Sequence, residues 1–237
     1  MNLDKLKTMK KLLINTLLLF FAVFNGNAQG ILDVIDPTFS GALLRNSVLN
    51  KKDLTKTEGS KYFVEEFRLA EVSGISQKIM VRYNALTDII EVQNDKKELF
   101  SLTKKDPFNT ITIIPFTDKI KLLNYKTKEG EANGYLVELF NQNEVALYRR
   151  DRISLQKEKE AINSYTVATP ARYVKTNDEY FLSLKNENAI VMPKNKKELQ
   201  DLFPIKKEEI AIYFKDNKFS LKDKKSIIEI AKFISKF

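Results

Sequence analysis

Between Lys61 and Met192 the apolar residues come in short runs that alternate with polar ones. From Pro193 onward they recur every three or four residues. A period of two is the signature of strands with one buried face, and a period near 3.6 that of amphipathic helices. The first region therefore predicts a series of strands. Tyr62–Val72 is one. Lys78–Asn84 and Asp88–Gln93 form a hairpin around Ala85-Leu86-Thr87, with Ile79, Val81 and Tyr83 on one face and Ile90 and Val92 on one face of the partner. Glu98–Thr103, Thr110–Phe116 and Lys119–Tyr125 follow, punctuated by turns at Asp106-Pro107 and Thr117-Asp118. Lys126–Asn133 reads as a charged loop. Gly134 then opens a second hairpin, turning at Asn141-Gln142-Asn143-Glu144, in whose second arm Val145, Leu147, Ile153 and Leu155 share a parity. Residues 156–170 are an ambiguous connection. Arg172–Lys175, Glu179–Leu184 and Ala189–Met192 complete the strands.

The C-terminal pattern predicts three helices. Lys196–Phe203 has Asn195 as N-cap and ends before Pro204. Lys206–Asp216 carries Ile210, Tyr213 and Phe214 on one stripe. The third starts at a capping box, Ser220 with Asp223, and buries Ile227, Ile230, Ala231, Ile234 and Phe237. The fold class is α+β: a curved antiparallel sheet or two-layer β body of about eight to eleven short strands, with the helices covering one opening or edge. The change of period divides the chain into a β domain, 60–192, and a Lys-rich helical tail packed on it, 193–237. Residues 29–60 form a weakly structured lead-in, with a short helix near Ser40–Arg45.

The N-terminus changes where this body is expected to work. Lys5, Lys7, Lys10 and Lys11 precede an apolar run, Leu12–Phe24, and the small residues Gly26-Asn27-Ala28. That is the layout of a secretory signal spanning 1–28, cut between Ala28 and Gln29. The run is too short for a bilayer span of ~20 residues. The product is expected to be periplasmic or secreted, with no transmembrane segment.

Composition then narrows the chemistry. The chain has no Cys, His or Trp, and a formal charge of +9. Without Cys and His there is no disulfide framework, no ordinary zinc or copper site, no Ser-His-Asp triad and no Cys-His pair. Carboxylate pairs, Ser-Lys or Tyr chemistry and oxygen-ligated cations remain open, and the expectation is no enzyme, metal or other cofactor. The basic excess is concentrated in the tail, which points to anionic lipid headgroups or acidic glycans as partners rather than nucleic acid.

Seven arginines occur, and three of them fall at Arg149, Arg150 and Arg152. Guanidinium forks suit phosphates and carboxylates, so these three with Tyr148 are the candidate anion-binding residues. Arg150 and Arg152 are expected on one strand face with Tyr148 beside them. The competing reading is an edge strand protected by charge. Glu65 and Glu66 are neighbours on a strand, so they face opposite ways and make no catalytic pair by themselves. Asn141–Glu144 lacks the Asp spacing of a calcium loop. Phe237 ends the chain with an aromatic, as outer-membrane barrels often do, but on a helical rather than an alternating pattern.

Several of these stretches together resemble a group of exported proteins of uncharacterised activity common in flavobacteria and other Bacteroidota. They are Tyr62–Phe67, Val81–Asn84, Thr87–Val92, Gly134–Phe140, Val145–Arg149, Glu179–Leu182 and the tail from Ile210 to Asp223. The resemblance implies export and a β-rich body with a helical C-terminus. It carries no activity and no site residue. The function expected from all of this is a non-catalytic, envelope-associated protein that binds anionic envelope components. The alternatives are a carrier of an apolar ligand inside the curved sheet and a carboxylate-based hydrolase.

Overall fold

The computed structural model describes residues 57–160, 167–217, 220–221 and 223–237, with the backbone of 44–46. The expected signal segment, its cut at Ala28–Gln29 and most of the lead-in lie outside the described residues. The strands are β1 (Leu44–Asn46), β2 (Arg68–Val72), β3 (Ile79–Asn84), β4 (Ile89–Gln93), β5 (Leu99–Leu102), β6 (Thr110–Ile113) and β7 (Lys119–Thr127). They continue with β8 (Gly130–Gln142), β9 (Val145–Arg150), β10 (Ile153–Gln156), β11 (Arg172–Lys175), β12 (Glu179–Leu184) and β13 (Ile190–Val191). Three helices follow: α1 (Lys196–Leu202), α2 (Lys207–Asp216) and α3 (Lys224–Ile234). The fold is α+β, a mostly antiparallel curled sheet with C-terminal helices.

Eleven strands form one sheet in the order β1-β5-β4-β3-β2-β6-β7-β8-β9-β12-β13, and β10 and β11 make a separate ribbon. At its C-terminal end the sheet turns back on itself. There Ala189, next to β13, bridges back to Tyr125 of β7 in parallel, and Lys126 N–H donates to Ala189 C=O at 2.7 Å. Strands β7, β8, β9, β12 and β13 thus enclose a small core of Tyr125, Leu136, Ala146, Tyr148, Phe181 and Ala189.

Strand alternation assigns the opposite face. Ile120 and Leu122 of β7, Tyr135 of β8, and Leu147 and Val145 of β9 all turn to it. At one end of that face, strands β2 to β6 bury Val72, Val81, Ile90, Val92, Phe108 and Ile111. At the other end the helices cover it. α3 brings Ile227, Ile230, Ala231 and Ile234 onto Val145, Leu147 and Leu182, and α1 and α2 add Leu199 and Ile210. The α3 stripe falls at i, i+3, i+4, i+7, so one helical face removes four apolar side chains from water, worth very roughly 6–10 kcal/mol before entropy.

Several expectations need correction. The strand expected over Tyr62–Val72 starts only at Arg68; Glu65 and Glu66 precede it, and the Glu65 carbonyl accepts from Arg82. Leu44 and Arg45 lie in β1, not in a helix. The charged stretch after Tyr125 is no loop but the tip of a long hairpin, turning at Lys128-Glu129 with Gly130 at φ +129°. Both faces of that tip are solvated, so charge there says nothing against a strand. The second hairpin does turn at Asn143-Glu144, both at positive φ. Its second arm, however, stops at Arg150. Ile153 and Leu155 belong to the ribbon, and Leu155 is exposed. Asp223, not Ser220, caps α3, accepting from Ser226 N–H at 2.9 Å.

Candidate functional site

The four residues singled out by sequence go to different places. Tyr148 points into the small enclosed core, where burial and then the Glu138 carboxylate push its hydroxyl up to about 12. Arg149 turns to the opposite face and grips Asp151 with Nε at 2.5 Å and Nη2 at 2.9 Å. Arg150 lies on the mouth of the enclosed core, its guanidinium 5.9 and 5.8 Å from the rings of Tyr125 and Phe181, and pairs with Glu179. Arg152 is beyond the strand. Strand β9 is interior, between β8 and β12, so the edge-protection reading of these arginines does not apply. Arg150 and Arg152 do share one shallow cleft, with Thr176, Asn177 and Glu179. Each arginine already has its own carboxylate, because a guanidinium half-buried without one would bear a heavy desolvation cost.

Arg152 belongs to a clasp that sequence reasoning did not single out. It pairs with Asp88 at 3.1 Å, donates to the Asp151 carbonyl at 2.9 Å and contacts the Tyr83 hydroxyl. Asp88, at φ +57° in the β3–β4 turn, also accepts from Tyr83 Oη at 2.9 Å, Tyr135 N–H at 3.2 Å and Lys104 Nζ at 2.7 Å. This ties the N-terminal strands to β8 and β9. Burial and then Asp88 raise the Tyr83 and Tyr135 hydroxyls well above the ordinary tyrosine range. A second cluster holds Glu91, which is fully buried. It takes Arg82 Nη2 at 2.6 Å, Tyr62 Oη at 3.0 Å and Asn84 Nδ2 at 2.9 Å. The Arg82 guanidinium lies 3.8 Å from the Tyr62 ring centre and 4.3 Å from that of Phe67. The Glu91 cluster is built from the Tyr62–Phe67, Val81–Asn84 and Thr87–Val92 stretches, and the Asp88 clasp joins the last two to Lys104, Tyr135 and Arg152; their signal was charged residues on apolar strands. Each buried acid here is committed to an arginine.

The most ligand-like feature lies on the face that carries two cores. Between the strand-filled and the helix-filled core the sheet is left partly uncovered, in a groove of about 420 Å³. Its floor is apolar: Ile113, Ile120, Val137 and Leu139, with Val64 and Val81 at one side. The rim is charged. Arg68 enters from β2, Lys224 from the start of α3, and the Arg149–Asp151 pair from the end of β9; Glu66, Asp118 and Glu138 also line the groove, Glu138 held by Lys121, and Arg82 is held by Glu91. Among the described residues no carboxylate pairs with Arg68 or Lys224; Arg68 stacks on the exposed Phe116 ring at 5.2 Å. An apolar floor with a few charged groups around it is a usual form of a small-molecule site, and the volume falls in the usual range of ~300–1,000 Å³.

Among the described residues, no group of three or more Asp or Glu side chains is placed to hold a metal ion, and no helix is long and apolar enough to cross a membrane. Fold and groove together define a curled α+β sheet protein with an open amphipathic cleft. Comparison of the chain with protein-family models, curated proteins and solved structures found no match.

Proposed function

We propose that this chain is an exported, non-catalytic envelope protein that binds an anionic amphiphile in the groove between its two cores. The apolar floor takes an acyl chain, and Arg68 and Lys224 take the acidic head. This reading merges the anion-binding and apolar-carrier expectations. The observation that carries it is the pairing of a partly uncovered apolar strip with two cations, Arg68 and Lys224, that have no carboxylate partner among the described residues. Of the cations that line the groove, Arg82 and Arg149 are neutralised internally, while Arg68 and Lys224 have no carboxylate partner among the described residues. Export rests on the basic, apolar and small-residue sequence of 1–28.

The test is displacement of a groove-bound fluorescent probe, anilinonaphthalene sulfonate, by dodecanoate, dodecanol and a phosphorylated glycan. The proposal expects dodecanoate to displace it, dodecanol to do so at least about tenfold more weakly, and the Arg68→Gln, Lys224→Gln variant to lose that preference. Equal displacement by the alcohol, or displacement by the glycan alone, refutes it. A chain that stays in the cytoplasm with residues 1–28 attached refutes export.

A further inference from the structure

We infer that residues 62–67 form a strap that opens to admit a ligand to the groove and closes over it, latched by Arg82; the inference rests on the groove reading above. The strap is fixed at both ends and lightly held between them. Before it, Glu58 is tied to the ribbon: its N–H donates to Ala171 C=O at 2.9 Å, and its C=O accepts from Tyr173 N–H at 2.8 Å. After it, Arg68 enters β2. Ala85 N–H donates to Lys61 C=O at 3.1 Å, and Tyr62 bridges to Asn84. From Val64 to Phe67 no further backbone–backbone hydrogen bond is made among the described residues, and none of residues 62–67 is buried. A segment with few ladder bonds and little burial opens at far lower cost than the sheet beneath it.

Side chains hold what the backbone does not, and most of that hold passes through one guanidinium. Arg82 Nη1 donates to Glu65 C=O at 2.8 Å, and its plane lies between the rings of Tyr62 and Phe67. The buried Glu91 fixes Arg82 from below and accepts from Tyr62 Oη at 3.0 Å. Lys175 Nζ, 4.5 Å from the Phe63 ring centre, adds a contact from the ribbon. The strap walls the groove with Phe63, Val64 and Glu66, whereas Tyr62 and Phe67 serve the latch and do not line it. The Glu66 carboxylate has no ion pair among the described residues and repels an acidic head, so Phe63 and Val64 are what a bound acyl chain meets under the strap.

This division of labour gives a signature. The ring and hydroxyl contacts of Tyr62 and Phe67 are the same whether the groove is empty or filled. Weakening them lowers the cost of opening equally in both states, so entry and exit accelerate together and Kd stays nearly fixed. Loss of a groove wall would instead change Kd.

The experiment is stopped-flow binding of dansyl-undecanoate to the full chain. Tyr62→Phe, Phe67→Leu removes one hydrogen bond to Glu91 and one ring face from Arg82. The inference expects association and dissociation rates each to rise at least about fivefold while Kd moves less than about twofold. Unchanged rates, or a changed Kd carried by one rate alone, overturn it. The wild-type chain supplies a second reading, cleavage after Glu65 and Glu66 by a Glu-specific endoproteinase, followed by mass spectrometry. Saturating dodecanoate should slow that cleavage at least about tenfold. No cleavage there, or cleavage that bound dodecanoate leaves unslowed, overturns the strap while the groove reading stands. A chain that binds neither acid overturns both.

Discussion

Replacing Gly134 by Ala adds one methyl group, and the structure says why that methyl is costly. Gly134 is buried in β8 and its φ is ordinary, so the backbone tolerates alanine. The space does not. A Cβ there would overlap Asp88 Oδ2 and sit 3.1 Å from Arg152 Nη2 and 3.2 Å from Tyr125 Oη. The Asp88 carboxylate is the element that must yield, and it is held by Tyr83, Tyr135, Lys104 and Arg152 at 2.7–3.2 Å. Its side chain is only 16% exposed, so water replaces these donors poorly. Losing the equivalent of one or two charge-assisted bonds, at ~1.5–3 kcal/mol each, sets the cost at about 1.5–6 kcal/mol. The assay is urea unfolding followed by tyrosine fluorescence, with an unchanged denaturant slope. The same methyl in an Asp88→Ala background should cost under about 1 kcal/mol, since the overlapping atom is gone. A Gly134→Ala loss below about 0.5 kcal/mol, or an equal loss in both backgrounds, refutes the clasp.

The pattern along the chain was sufficient for the class of fold because alternation reports directly which strand face is buried. β3, β4, β12 and the Asn143-Glu144 turn lie where period and turn chemistry place them. Alternation fails where both faces of a strand are wet, as at the charged tip of β7 and β8. It also fails where a strand ends without Gly or Pro, as at Arg150. The return of β13 to β7 is a contact across more than sixty residues, and no local signal carries it. The three clustered arginines drew attention as a ligand site, yet each has its own carboxylate: Asp151 two residues from Arg149, and Glu179 and Asp88 from separate segments. Arg68 was hidden by the opposite error. Nothing near it in sequence reveals that among the described residues it has no carboxylate partner beside a partly uncovered apolar strip.

Removing the Glu91 carboxylate by Glu91→Ala should cost about 3–5 kcal/mol in urea unfolding, because the buried Arg82 is left unpaired; the Arg82→Met, Glu91→Leu pair should recover most of it. Ile230→Ala in α3 opens a cavity in the helix-covered core and should lose about 2–5 kcal/mol, read as a lower melting temperature. Stability should fall as pH rises past the ordinary tyrosine value of 10.0. Tyr83 and Tyr135 keep their protons in the folded state while the unfolded chain ionises, so the unfolded state is favoured progressively upward from there. Tyr83→Phe, Tyr135→Phe should flatten that alkaline limb in melts taken between about pH 9 and 11.

The most direct measurement is native mass spectrometry of the protein recovered from the cell envelope in mild detergent, with identification of whatever leaves on activation. The account predicts an acidic acyl lipid, depleted in the Arg68→Gln, Lys224→Gln variant. A protein that carries no acyl species, or carries the same one equally well in that variant, contradicts it.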